Sequence, residues 1–333
     1  MKKYLVKRLL LIIPTFIGIT MITYLVVRLT PGDYTSMRLD MQGGMQVTAQ
    51  AKEIMAQERK LFGLDDPIYI GYGKWLVKFV TGDMGISRKD GRPVFDRIGD
   101  ALPITLTLNI ITLILIYVIS IPMGIVAAVR KDSLFDRGSS LVLFILYSLP
   151  AFWIGLLLLN YFSGGEYLNL FPLGGFTSDG MAGASWWQRA GDVAWHLVLP
   201  VITLTYGSFA FLSRYTRANM LEVINQQYIT TARAKGLSEK RVVFVHAFRN
   251  SLIPLVTLMA TLLPGLLGGS VIVEQIFSIP GMGLLAFDSI LARDIPVVMA
   301  IAAVSALLTL VGILLADITY ALVDPRIRLE AKA

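Results

Sequence analysis

Residues 9–27, 101–129, 138–165, 193–213, 250–273 and 295–316 form six runs without a charged side chain, the shortest 19 residues long. An α-helix needs about 20 apolar residues to cross a hydrocarbon core of about 30 Å, and a charge at its centre costs on the order of 2.5–3.5 kcal/mol. The pattern therefore predicts six membrane-spanning helices. Lys2, Lys3, Lys7 and Arg8 precede the first run, as in a signal peptide. That run is longer than a signal core, and no small-x-small cleavage site follows it, so an uncleaved first helix is expected. Pro103, Pro122, Pro150, Pro200 and Pro264 fall within the runs or near their ends, where neighbouring helices can satisfy the freed carbonyls.

The longest stretch of mixed charge between two apolar runs covers residues 217–254. Met220, Leu221, Ile224, Tyr228 and Ala232 recur at spacings of three and four, which predicts one amphipathic helix from Arg217 to Lys235. Gly236 ends it as a left-handed C-terminal cap, with Arg233 and Lys235 in the last turn at the negative end of the helix dipole. Ser238 is then placed to cap a second helix, with Glu239 in its first turn and Val242, Phe244, Val245 and Phe248 as its apolar surface. Pro254 is expected in the first turn of the next apolar helix. Such a surface suits either contact with a soluble protein or a position on lipid headgroups.

Between the first two runs, residues 48–62 read as a polar helix. Residues 67–80 read as a helix with Ile68, Tyr72, Trp75, Leu76, Phe79 and Val80 along one face. A turn at 82–85 and a helix from 93 lead toward the second run. The apolar face either anchors in the headgroups through Tyr72 and Trp75 or docks another protein. Trp186, Trp187 and Trp195 are placed as an aromatic belt. In the fifth run Gly265, Gly268 and Gly269 cluster, and the Gly265-x-x-x-Gly269 spacing lets another backbone approach closely. On spacing alone this fits ordinary helix packing.

Composition changes the picture in one respect: it excludes classes. Of 333 residues 55% are hydrophobic and 16% charged, and the mean hydropathy is +0.66, too apolar for one soluble core. The net charge of +7 comes from cations at the ends of apolar runs and not from one patch, which favours lipid headgroups over nucleic acid. Six crossings would gather Lys2 to Arg8, Arg130 to Arg137, Arg214 to Arg249 and Arg326 to Lys332 on one side. The opposite side has only Arg189 and Arg293 in its short loops, so both termini are expected in the cytoplasm. There is no cysteine, and His196 and His246 are the only histidines, which leaves little material for a thiolate or histidine metal site. Gly73-Lys74 lacks the remainder of a phosphate-binding loop, and HExxH and Gly-x-Ser-x-Gly motifs are absent. No carboxylate falls in the middle of a run. Asp317 reads as a solvated cap at the end of the sixth, and Asn109 and Asn160 as interhelical hydrogen-bond partners. An ion-coupled carrier would usually place carboxylates inside its spans, so a partner that supplies energy is the stronger expectation.

Thr230-Thr231-Ala232-Arg233-Ala234-Lys235-Gly236, followed by Ile253-Pro254, resembles the cytoplasmic coupling loop of bacterial ABC-importer permeases. The acid that opens that motif elsewhere is absent here, as in the peptide-permease branch, where Tyr228-Ile229 and then Thr231 to Leu237 are typical. Arg8 to Pro14 with Arg28-Leu29-Thr30-Pro31-Gly32-Asp33 looks like the opening of the B-type subunit of dipeptide and oligopeptide permeases. Gly63 to Pro67, Gly82 to Gly85, Gly91 to Val94, Phe277 to Gly283, Arg293 to Val298 and Asp324 to Arg328 are similar to that subunit in the same order. The resemblance implies an all-α integral membrane protein with six transmembrane helices and the type I ABC-importer permease fold. It divides the chain into a cytoplasmic N-terminus and first helix (1–30), an external loop domain (31–100), a five-helix permease core (101–323) with a coupling loop at 214–250, and a cytoplasmic tail (324–333). It assigns ATPase coupling to Tyr228, Thr231, Ala232, Ala234, Lys235, Gly236, Leu237 and Ser238, and pore lining to Gly265, Gly268 and Gly269. The implied partners are a second homologous permease subunit, two cytoplasmic ATPase subunits that hold ATP and Mg, an extracytoplasmic substrate-binding protein and the lipid bilayer. No cofactor, metal, catalytic residue or nucleic acid is expected on this chain. The implied site is a bacterial or archaeal cell membrane and the implied cargo a di- or oligopeptide; related systems carry nickel chelates or oligosaccharides.

Overall fold

The computed structural model describes residues 2–29, 66–164, 167–262 and 269–323. The expected helix at 48–62, the tail 324–333, Gly265 and Gly268 lie outside the described residues. The elements are helical: α1 (Lys2–Leu29), α2 (Ile68–Thr81), α3 (Val94–Val129), α4 (Leu134–Ser148), α5 (Ala151–Phe162), α6 (Trp186–Ile224), α7 (Gln227–Ala234), α8 (Phe248–Leu262), α9 (Val271–Ile276), α10 (Met282–Leu291) and α11 (Ile295–Val323). An isolated antiparallel bridge joins Ile86 and Pro93.

α1, α3, α6 and α11 are each long and apolar enough to cross a membrane. The third apolar run is broken in two. α4 and α5 meet at 94°, because Leu149 precedes a proline and is extended (φ −88°, ψ 133°), and Pro150 offers no N–H to continue the ladder. The fifth run also fails to form one helix. Gly269 stands at φ +72° and Ser270 is extended before α9 begins, so the helix that starts at Phe248 does not run on into α9. Among the described residues there are thus four uninterrupted crossings, or five if α4 and α5 count as one, and the fifth run is described only in part.

α3 and α6 form the central pair. Ser213 Oγ donates to the Ser120 carbonyl at 3.2 Å and Ser120 Oγ to the Phe209 carbonyl at 3.3 Å. A Cβ on Gly124 would lie 2.6 Å from Thr216 Cβ, so only glycine permits this approach. At one end α2 packs inward: Tyr72 and Trp75 are buried with Tyr24 of α1 and with Val297 to Ala303 of α11. Tyr72 Oη lies 2.9 Å from Thr20 Oγ1. The headgroup-anchor reading of Tyr72 and Trp75 is therefore replaced by core packing, while Val80, on the same expected face, is exposed. Trp186 and Trp187 are exposed and stacked at 3.8 Å, which suits an interfacial belt. Asp317 is not a free cap: its carboxylate pairs with Arg8 at 3.1 Å and ties α11 to α1.

Candidate functional site

The segment expected to be one helix from Arg217 to Lys235 is two. α6 stops at Ile224, Gln226 is extended, and α7 starts at Gln227. The break rotates the apolar register, so Ile229, not Tyr228, is buried. Ile229 and Ala232 join Met220 of α6, Ile125 and Ala128 of α3, and Val242, Val243 and Ala247 in one apolar cluster. Tyr228 is exposed and accepts a hydrogen bond from Asn250 Nδ2 at 2.9 Å. Gly236 takes the left-handed conformation its position predicts, φ +77°, and its N–H donates to the Arg233 carbonyl at 2.9 Å. Ser238 occupies the N-cap position of the turn Glu239–Arg241 without a side-chain bond to it. Glu239 instead pairs with Arg233 at 2.7 Å across the glycine turn.

That turn runs into a π-helix, Val242–Ala247. Its wider i→i+5 turn buries Val242, Val243 and Ala247 and leaves Phe244 and Val245 exposed, which corrects the 3.6-residue reading of that face. α8 follows without interruption, so Pro254 lies inside it and not in its first turn. Among the coupling residues, Tyr228, Thr231, Ala234, Lys235, Gly236 and Ser238 present an exposed surface. Ala232 is buried, and Leu237 is half-buried beneath it. The arrangement is a platform: a short helix whose apolar side sits on α3 and α6 and whose polar side is open to a partner.

Midway along α6 the two helix breaks converge. A cavity of about 430 Å³ is lined by Leu149 and Ala151 at the α4–α5 break, Thr203, Tyr206 and Ser208 of α6, and Ser270 before α9. Tyr206 Oη donates to the Leu149 carbonyl at 2.6 Å, pairing an oxygen that the break leaves outside the helical ladder. Irregular backbone at membrane depth is tolerated where protein buries it or where it lines a cavity.

Glu274, directly beyond this wall, escapes a search for charges inside apolar runs because the fifth run ends one residue earlier. It is fully buried. Its carboxylate accepts from Thr105 Oγ1 of α3 at 3.0 Å and from the Leu284 N–H at 2.8 Å, in the first turn of α10. Gly281, Gly283 and Gly269 surround it so closely that a Cβ on any of them would fall within about 3 Å of its carboxylate. Gly269, in the left-handed region, therefore faces Glu274. The sequence signal was available: an acid abutting an apolar run and followed by Pro280-Gly281-Met282-Gly283.

Asp294, at the α10–α11 junction, is likewise buried and accepts from Ser87 Oγ at 2.5 Å and from the Arg88 N–H at 3.1 Å. Arg97 approaches the same group, with Ser87 Oγ at 2.7 Å. Nearby Asp90 lies outside the spans. Burial raises its pKa, but the Arg92 N–H and the Arg97 guanidinium outweigh that and hold it below the usual carboxylate value.

Comparison with known families follows this architecture along the whole chain. Residues 120–329 match the model described as binding-protein-dependent transport system inner membrane component. The chain belongs to this family. Residues 1–109 match the N-terminal model of the same type of membrane component, so the family assignment covers both the α1–α2 region and the core. The chain is 42% identical over 328 residues to the oligopeptide transport system permease protein AppB of Bacillus subtilis, covering 98% of this chain and 99% of that protein. It is 36% identical over 344 residues to the dipeptide transport system permease protein DppB of Escherichia coli, covering 98% and 99%. It is also 36% identical over 362 residues to the peptidoglycan transport system permease protein YejB of Agrobacterium fabrum, covering 100% of both. The family and the apolar helices together make this a multi-pass membrane permease of the ABC-importer type.

Proposed function

We propose that this chain forms half of the translocation pore of an ATP-driven importer for dipeptides or oligopeptides. The observation that carries the reading is similarity, from one end of the chain to the other, to permeases named for oligopeptide and dipeptide transport. The platform around α7 supports it, since a polar helix seated on the ends of α3 and α6 is suited to pass a partner's motion into the spans. On this reading both termini and residues 214–250 face the cytoplasm. Two ATPase subunits, which bind ATP and Mg, contact the surface from Tyr228 to Ser238; a second permease completes the pore; and an extracytoplasmic binding protein delivers the solute. Closure of the ATPases carries α7 with them, and the spans rock between inward and outward openings. The cavity at the two helix breaks forms part of the pathway wall, with Gly269 behind Ser270. Among the described residues, the polar side chains that line this cavity are the hydroxyls of Thr203, Tyr206, Ser208 and Ser270.

The test is uptake by the complete transporter in proteoliposomes containing ATP. Labelled di- and oligopeptides are expected to accumulate only with ATP and the binding protein. Preference for a nickel chelate or an oligosaccharide would overturn the peptide assignment. Uptake driven by an ion gradient without the ATPases would overturn the importer reading altogether.

A further inference from the structure

The geometry points to Asp136 and Arg217 as a positioning pair that makes the coupling segment move as one body with α3 and α4. The inference rests on the reading of the surface from Tyr228 to Ser238 as the ATPase contact. Asp136 is 2% exposed in the first turn of α4. Its two oxygens accept from Arg217 Nε at 2.5 Å and Nη2 at 2.6 Å, a two-pronged bond that fixes orientation as well as distance. Oδ2 also accepts from the Asp132 N–H at 2.9 Å. Asp132 stands at φ +62°, an uncommon conformation for a residue with a side chain, so the carboxylate holds the α3–α4 turn in shape. Arg214, three residues before Arg217, donates to Ser140 Oγ, four residues after Asp136, at 2.5 Å. One face of α6 is thus fastened to one face of α4 at two levels.

These bonds close a ring. α6 ends at Ile224, and only Asn225 and Gln226 separate it from α7. α7 sits on α3 through the cluster of Ile229 and Ala232 with Ile125 and Ala128. α3 leads through residues 130–133 to α4, and Asp136 returns the path to α6. Without the pair, the exposed α3–α4 turn is a soft point that absorbs a push on α7. With it, the push enters α4, whose far end is the break at Leu149 beside the cavity. The pair links charges 81 residues apart, and no local pattern announces it.

The experiment uses the complete transporter in proteoliposomes and reads solute moved per ATP hydrolysed. Asp136→Asn is expected to lower this ratio roughly tenfold, within the range of coupling effects, while the ATPase subunits co-purify in wild-type amount. The exchange Asp136→Arg with Arg217→Asp is expected to recover most of it. Arg217→Lys keeps the charge but not the two-pronged geometry. It should fall between, and it serves as the test if Asp136→Asn does not accumulate in the membrane. A wild-type ratio, or a loss that the exchange leaves unrepaired, overturns the pair. Thr231→Cys, on the exposed side of α7, separates the two readings. If it fails to cross-link to an ATPase subunit, the contact itself is wrong and the inference falls with it. If it cross-links while the Asp136→Asn ratio is unchanged, only the pair is refuted.

Discussion

Gly236 stands at φ +77° with open space where a Cβ would project. Substitution there meets backbone strain alone, about 1–2 kcal/mol for most L-residues and least for Asn. Gly236→Val is expected to reduce substrate-stimulated ATP hydrolysis roughly fivefold, as about 1 kcal/mol implies, with Gly236→Asn close to wild type. Equal rates in both variants would mean that the turn merely ends a helix. Gly281 is the opposite case. A Cβ there would lie 2.5 Å from Thr105 Oγ1 and 2.6 Å from the Glu274 carboxyl carbon, both fixed by hydrogen bonds. Gly281→Ala should destabilise the detergent-solubilised protein by about 1–3 kcal/mol, the usual cost of overpacking. A thermal melt against Gly73→Ala, where nothing lies within 4 Å, checks it; matching melts would remove the steric account.

Among the elements, α4 and α5 show how one proline changes architecture. Pro150 turns a run long enough for one span into two helices at 94°, whereas Pro122 and Pro200 are absorbed within α3 and α6. Tyr206 is the compensation at Pro150, because its hydroxyl takes up the Leu149 carbonyl. Tyr206→Phe is expected to lower stability by about 1 kcal/mol, the net worth of one hydrogen bond, measured as a fall in melting temperature with ATPase association unchanged. An unaltered melting temperature would mean that water or lipid satisfies that oxygen.

For the whole molecule, sidedness is the first test. With no native cysteine, Ser178→Cys and Ser238→Cys report cleanly with an impermeant thiol reagent. Labelling from outside is expected at position 178 and not at 238 in sealed cells; the reverse would put the coupling surface on the wrong face. Selectivity is the second. A cavity lined by uncharged hydroxyls and apolar surface discriminates weakly, since strong rejection needs placed polar groups that go unpaired with the wrong ligand. Replacing the binding protein with a relative of different preference should therefore redirect uptake. Retention of the original preference by a hybrid that still stimulates ATP hydrolysis would locate a selective site in this permease.

The apolar runs by themselves determined that the chain is a helical membrane protein, because an uncharged run of about 20 residues is cheap in lipid whatever its neighbours. The glycine turn at Gly236 was equally legible, since a left-handed residue after a helix is a local requirement. Tertiary structure decided the rest. It broke the Arg217–Lys235 helix so that Ile229 packs on Ile125 and Ala128, and it widened Val242–Ala247 into a π-helix. It also brought Asp136 to Arg217 and wrapped three glycines around Glu274. Each depends on surfaces far apart in the chain, and periodicity carries no information about which distant charge or backbone a residue will meet.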